Sequence, residues 1–260
     1  MTDYPGLQVE KRGSTAVVTL SNPPANTWTR DSLDALVRLV DDLEADTGIR
    51  ALVLVGEGSK FFCAGADLKL FADGDKAMAR RMARLFGQAF EALTAFRGVS
   101  IAAINGFAMG GGLEVALACD LRIAEAQAQM ALPEASVGLL PCAGGTQNLA
   151  WLVGEGWAKR MILCGERVDA ATAERIGLVE QVVPTGEALT AALALAEKVA
   201  RQSPSSTSVC KRLIQAARLQ PMAHALPTER EWFVDLFDTQ DQKEGVNAFL
   251  EKRAPVWKNA

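Results

Sequence analysis

Two carboxylates and two runs of small residues are the places in this sequence where chemistry could be done. Glu114 follows the run Gly110-Gly111-Gly112 and leads into Val115-Ala116-Leu117-Ala118-Cys119, apolar enough at successive positions to imply a helix buried on most sides. An ionised carboxylate there is costly unless it is paired, protonated or used. Glu134 follows Pro133, a helix-start signal, so it too stands at the beginning of an element. An acidic residue in a first helical turn also complements the helix dipole with no further role, and both readings fit either glutamate alone. As a pair beside backbone donors, the two can hold one water between an acid and a base. The donors come from a quasi-repeat. Ala51 to Leu68 reads as strand, glycine-containing loop and then Ala64-Gly65-Ala66-Asp67 opening a helix; Ser100 to Cys119 reads as strand, glycine-containing loop and then Gly110-Gly111-Gly112 opening a second. Free N–H groups at helix starts bind anions or developing oxyanions, and small residues let a ligand approach the backbone. The same small residues also serve tight helix–sheet packing.

Other chemistries find little support. The single histidine, His224, leaves no room for a poly-histidine zinc site and makes any Ser-His-Asp or Cys-His arrangement hang on one residue. Gly56-Glu57-Gly58-Ser59-Lys60-Phe61 follows a strand and begins like a dinucleotide fingerprint, but Phe61 stands where helix packing needs glycine. No phosphate-loop signature is present. Five cysteines, at 63, 119, 142, 164 and 210, are an odd number without a CxxC pair, which suits free thiols in a reducing compartment. Cys63 and Cys142 each lie beside a glycine-rich loop. With 31 acidic against 27 basic side chains the net charge is −4, so no whole-protein field favours nucleic acid or an anionic membrane. Met1 to Glu10 lacks a signal pattern, and the most apolar stretch, Val99 to Leu121, is interrupted by Asn105, the glycines and Glu114. These features predict a cytoplasmic chain that neither binds nucleic acid nor spans a membrane.

The elements that must position these residues follow from periodicity. Short β-rich runs occur at Leu7–Glu10, Thr15–Leu20, Ala51–Val55, Ser100–Ile104, Leu121–Ala124 and Leu178–Val183, with helical patterns between them, which argues α/β. Asp31 to Ala45 is predicted as the first long helix, because Leu33, Leu36, Val37, Val40 and Leu43 share one face. After Pro184, Ala188 to Arg201 is an alanine-rich helix, Ser203-Pro204-Ser205-Ser206 punctuates, and the rest is helical without a convincing strand. A length of 260 residues suits one generous domain with an appendage, and a boundary is placed near residue 200.

Three long motifs in order carry a resemblance: Phe62-Cys63-Ala64-Gly65-Ala66-Asp67-Leu68-Lys69; Asn105-Gly106-Phe107-Ala108-Met109-Gly110-Gly111-Gly112-Leu113-Glu114; and Leu132-Pro133-Glu134 with Gly138-Leu139-Leu140-Pro141-Cys142-Ala143-Gly144-Gly145-Thr146-Gln147. Together they resemble the signatures of the crotonase superfamily, specifically the enoyl-CoA hydratases. The likeness extends through Asn22-Pro23-Pro24-Ala25-Asn26, Gly177-Leu178-Val179 and Ala248-Phe249-Leu250-Glu251-Lys252-Arg253, nearly the whole chain. It implies an α/β fold, a crotonase-like spiral of ββα units over residues 1–200 holding the acyl-CoA site, followed by a C-terminal α-helical trimerisation region over 201–260. It implies a homo-oligomer, a trimer or a dimer of trimers. An acyl-CoA thioester would place its carbonyl oxygen on the backbone N–H groups of Ala66 and Gly111 and run its CoA along Ala64, Asp67, Leu68 and Lys69, with Phe249 and Lys252 contacting the CoA of a neighbouring subunit. Glu114 would act on water and Glu134 would protonate the α-carbon, in a syn addition across the 2,3 double bond. No metal and no separate cofactor would be needed, CoA being the substrate's handle.

Three positions depart from the family pattern. Cys142 replaces a frequent glycine and could narrow the acyl or water site; Asn148 replaces a common arginine; Trp28 replaces a smaller apolar residue, as core packing or as a pocket wall. The arginines Arg80, Arg81 and Arg84, where family members shape the acyl pocket, read as a solvated face. Competing functions are double-bond isomerisation or another enolate-based reaction on acyl-CoA, which simple isomerases usually perform with one glutamate, and a non-catalytic RNA-binding or scaffolding member of the superfamily.

Overall fold

The computed structural model describes residues 3–259. Alternating apolar residues near the start fold into the antiparallel pair β1 (Leu7–Arg12) and β2 (Thr15–Leu20). Thr29 then caps α1 (Arg30–Ala45): its hydroxyl accepts from the Ser32 N–H, while the Ser32 hydroxyl accepts the Thr29 N–H. The helix buries Leu33, Leu36, Leu39, Val40 and Leu43, close to the face expected from its periodicity.

Three turns of the chain follow with one plan. Each lays a strand in a large sheet, then a strand in a small sheet, then a helix. The first is β3 (Ala51–Gly56), β4 (Phe61–Cys63) and α2 (Lys76–Ala95). The second is β5 (Val99–Ile104), β6 (Phe107–Met109) and α3 (Gly111–Ala118). The third is β7 (Leu121–Glu125), β8 (Gln129–Ala131) and α4 (Gly145–Leu163). After β9 (Val168–Asp169) and α5 (Ala170–Arg175), β10 (Gln181–Val183) closes the large sheet. Its order is β1-β2-β3-β5-β7-β10, parallel except at β1, and the small sheet runs β4-β6-β8-β9 with only β9 antiparallel.

Period-two alternation divides the large sheet between two cores. Val17, Val53, Ile101 and Ile123 face α6 (Ala188–Ala200), which presents Ala188, Ala192 and Ala196 to them. Val18, Leu52, Leu54, Ala102 and Ile104 face the main core with α1, α2 and α3. Burial of every residue of β3 explains its unbroken apolar run. Two asparagines tie the turns together. Asn105 brackets Gly56, accepting its N–H at 3.0 Å and donating to its carbonyl at 2.8 Å, and Asn26 donates to Phe61 O at 3.0 Å.

Ser203 caps α7 (Pro204–Ala216) with Pro204 in the first turn, as the Ser-Pro punctuation predicts. α8 (Met222–Asp235) and α9 (Gln240–Leu250) follow, and no strand occurs after Ala200 among the described residues. Buried Asp241 on α9 gathers this region, accepting from Ser205 Oγ at 3.2 Å and Lys258 N at 2.8 Å. No helix among the described residues is long and apolar enough to cross a membrane.

Two expectations need correction. Ala64-Gly65-Ala66-Asp67 does not open an α-helix. Asp67 caps a single 3₁₀ turn, Leu68–Phe71, and Gly74 (φ +68°) turns the chain before Asp75 starts α2. The run at Leu178–Val183 is strand only over Gln181–Val183, because Leu178 and Val179 bond back to Ala173 O.

Contact between the second turn's helix and the first turn's strand is very close. A Cβ at Gly112 would lie 2.0 Å from Cys63 O, a backbone atom without freedom to swing aside. Gly112→Ala should therefore destabilise the fold by about 3 kcal/mol, read from urea unfolding. Stability within ~0.5 kcal/mol of the native protein, the range of unremarkable surface changes, would refute this packing argument.

Candidate active site

A cavity of about 210 Å³ opens where the three ββα turns meet. Leu68, Phe71, Phe86, Val137, Leu139 and Leu140 give it apolar walls, and Ala64, Gly65, Ala66, Gly110 and Gly111 bring backbone to its surface. Into this apolar space face Glu114, Glu134 and Cys142.

The backbone donors arrive by different routes. Gly111 is the first residue of α3, entered through Gly110 at φ +53°, a conformation that side chains resist. Ala66 sits in an extended segment that forms an isolated parallel bridge with Trp28. Gly65, at φ +90°, allows the approach of the two: a Cβ there would stand 2.7 Å from Met109 O and 3.2 Å from Gly111 N. Neither the Ala66 N–H nor the Gly111 N–H has a hydrogen-bond acceptor among the described residues. Two unpaired donors on one cavity can hold a developing oxyanion.

The glutamates differ in what surrounds them. Glu114, in the first turn of α3, is 3% exposed, and its Oε1 accepts from Ala143 N at 2.8 Å and Gly145 N at 2.9 Å. Gly145 is the first residue of α4, so a helix N-terminus points at this carboxylate. Burial pushes the Glu114 carboxyl above its ordinary range, and the Gly145 and Ala143 N–H groups pull it partly back. Glu134 begins a 3₁₀ turn, Glu134–Val137, and its Oε2 is buried without a hydrogen-bond partner. Burial, reinforced by the charge of Glu114, pushes its carboxyl up to about 7. The two N–H donors favour the charged form of Glu114, whereas Glu134 Oε2 has no donor, so Glu134 is the better placed of the two to carry a proton. Burial and the same carboxylates push the Cys142 thiol up to about 11.

Of the residues singled out in sequence, Ala64, Ala66, Leu68, Gly111, Glu114 and Glu134 line this one cavity. Asp67 and Lys69 share the loop beside it without lining it; the Asp67 carboxylate accepts from Lys69 N at 3.1 Å. Phe249 and Lys252 are not among the lining residues of this chain, and Phe249 is 82% exposed. Arg80, Arg81 and Arg84 lie on the exposed face of α2. Asn148 accepts from Arg218 Nη1 at 3.2 Å, and His224 is exposed on α8. Trp28 is core packing and no pocket wall. Periodicity missed Phe86, whose ring forms the cavity wall behind Gly111, and the Ala143 and Gly145 N–H groups. The Gly144-Gly145 turn was their signal.

Comparisons with known proteins place the chain in a family. The profile of the enoyl-CoA hydratase/isomerase family matches residues 10–260. A short-chain-enoyl-CoA hydratase of Clostridium acetobutylicum is 38% identical over 246 residues, 94% of each chain. Among solved structures, DspI of Pseudomonas aeruginosa is 70% identical with a TM-score of 0.97, covering 99% of this chain and 98% of that one. An enoyl-CoA hydratase of Bacillus anthracis is 34% identical with a TM-score of 0.94, covering 98% and 100%. The architecture is thus the crotonase-like α/β spiral, with helices at its C-terminal end. The chain belongs to the enoyl-CoA hydratase/isomerase family.

Carrying a proton up to about 7, Glu134 makes the fold pH-sensitive. In the unfolded chain the carboxyl ionises near its ordinary 4.5, so between that value and about 7 the folded state binds more protons than the unfolded. Stability attributable to this group therefore falls as pH rises through that window. Glu134→Gln cannot ionise and should gain Tm relative to the native protein as the buffer moves from pH 5 to pH 8. Parallel Tm profiles for the two proteins would refute the assignment.

Proposed function

We propose that the chain hydrates 2-enoyl-CoA thioesters, adding water syn across the 2,3 double bond. The observation that carries this reading is the convergence of two unpaired backbone donors and two unlike glutamates on one apolar cavity. Conjugation alone leaves the β-carbon weakly electrophilic. Donation from Ala66 N–H and Gly111 N–H to the thioester oxygen stabilises the enolate-like charge that builds on attack. Glu114, whose charged form the Ala143 and Gly145 N–H groups favour, takes a proton from the attacking water, and protonated Glu134 gives its proton to the α-carbon. Both glutamates have work in hydration, whereas a simple double-bond shift can proceed with one. An acidic net charge of −4 gives an RNA-binding role no support.

On this reading CoA is the substrate's handle along Ala64, Asp67, Leu68 and Lys69, and no separate cofactor takes part. Residues 1–200 would form the catalytic spiral and 201–260 an oligomerisation region, with Phe249 and Lys252 reaching the CoA of a neighbouring subunit in a trimer or dimer of trimers in the cytoplasm. Exposed Phe233, Phe237, Phe249 and Leu250 in that region support such an assembly.

Hydration releases no net proton, so its equilibrium is independent of pH and the two directions must share one pH profile. Each direction needs one proton on the pair, on Glu134 to hydrate and on Glu114 to dehydrate. We therefore expect kcat/KM with crotonyl-CoA to be bell-shaped, with an alkaline limb near 7 and the same limbs measured in either direction. A rate flat from pH 5 to pH 9 would sink the acid–base assignment.

Glu114→Gln and Glu134→Gln should each lower hydration by roughly 100-fold or more. Exchange of the α-proton of a saturated acyl-CoA with deuterated solvent needs the oxyanion donors and the group near the α-carbon but no attacking water. Glu114→Gln should keep more exchange relative to its hydration than Glu134→Gln. The opposite ranking would reverse the two roles.

A further inference from the structure

Trp28 does not line the cavity, yet it grips both oxyanion donors from behind. Its backbone N–H donates to Gly65 O at 2.8 Å and its carbonyl accepts from Asp67 N at 3.3 Å, which brackets Ala66. Its indole Nε1–H donates to Gly111 O at 3.2 Å. The ring is 2% exposed and packs edge-on against Phe90, 5.6 Å between centroids; Phe90 packs likewise against Phe86, the ring on the cavity wall. A Cβ added at Gly111 would meet Phe86 Cε1 at 3.1 Å and Trp28 Cδ1 at 3.6 Å, so the first residue of α3 is seated on these two rings.

The need for such a grip follows from where the sheet ends. Pairing of β4 with β6 stops at Cys63↔Ala108, short of both donors, and beyond it the chain passes through Gly65 and Gly110 at positive φ. Glycine segments are the freest backbone a chain can have. An oxyanion hole contributes only when its donors are held in place before the charge appears.

Resting on the reading of Ala66 and Gly111 as the oxyanion donors, we propose that Trp28 is the positioning residue of that hole, its backbone fixing Ala66 and its indole N–H fixing Gly111, so that both N–H groups meet one oxygen. Trp28 touches no substrate. Its effect is on the transition state, where the oxygen carries charge, more than on the ground state.

Trp28→Phe keeps an aromatic ring against Phe90 and removes the N–H. The expected result is a fall in kcat for crotonyl-CoA hydration of about 5- to 20-fold, less than loss of a donor itself, with KM within about twofold. Alpha-proton exchange of butyryl-CoA should fall in parallel, and the infrared carbonyl band of bound ¹³C-labelled butyryl-CoA should lose part of its shift from the free thioester. A merely space-filling tryptophan would lower Tm and leave the carbonyl band in place. Should the phenylalanine variant fail to fold, site-specific 3-benzothienylalanine at position 28, which keeps the bicyclic shape with sulfur for N–H, is read by the same quantities. Native-like kcat with an unmoved band in either folded variant, or a change confined to KM, overturns the proposal. If those variants behave as the native protein while Glu134→Gln is inactive, only the role of Trp28 fails. A native protein with neither hydration nor a shifted carbonyl band would refute the hydratase reading and this inference with it.

Discussion

Two carboxyl groups in one small apolar cavity cannot both be treated as they would be in water. Each loses hydration on burial, and each raises the cost of ionising the other. The protein resolves this by unequal provision: Glu114 receives two backbone N–H groups at the start of α4, and the buried Glu134 Oε2 receives none. On the proposed reading one group thereby serves as the base and its neighbour as the acid, without any difference in residue type. Remove the Gly144-Gly145 turn and the distinction goes with it.

That provision depends on the spiral. Each turn sets a small-sheet strand beside the previous one and then releases the chain into the cavity, so Ala66, Gly111 and Glu134 arrive in successive turns at one level. The far end of α3 is fixed too. Buried Arg122 donates to Cys119 O and Leu178 O, both at 2.9 Å, and pairs with Glu180. A helix anchored at its C-terminal end and seated on aromatic rings at its first residue leaves Glu114 little freedom to drift from its donors.

Much of this was legible in the sequence, for identifiable reasons. Each of the six strands of the large sheet overlaps one of the β-rich runs, and the Ser203-Pro204 punctuation marks the start of α7, whereas the Thr29 cap of α1 went unread. The small sheet was not legible, because strands of two or three residues such as β4, β6, β8 and β9 have too little length to show a period. The segment at Ala64 looked like the glycine run at Gly110, but Gly65 at φ +90° and the early break at Gly74 turn it into an extended strap. Both glutamates were found by type and position, whereas their difference in environment rests on backbone N–H groups that no side-chain pattern records. The indole bond of Trp28 was hidden for the same reason, its acceptor being a main-chain oxygen 83 residues away.

Cys142 shows what the local charge does to a bystander. An α,β-unsaturated thioester is a Michael acceptor, and a thiolate in reach of its β-carbon would add there and block the site. Desolvation and the adjacent carboxylates push the Cys142 thiol up to about 11, which favours the neutral thiol, a poor nucleophile. On the proposed reading, the carboxylates that carry the chemistry thus also favour the protonated, less reactive form of a cysteine lining a cavity that takes an electrophile.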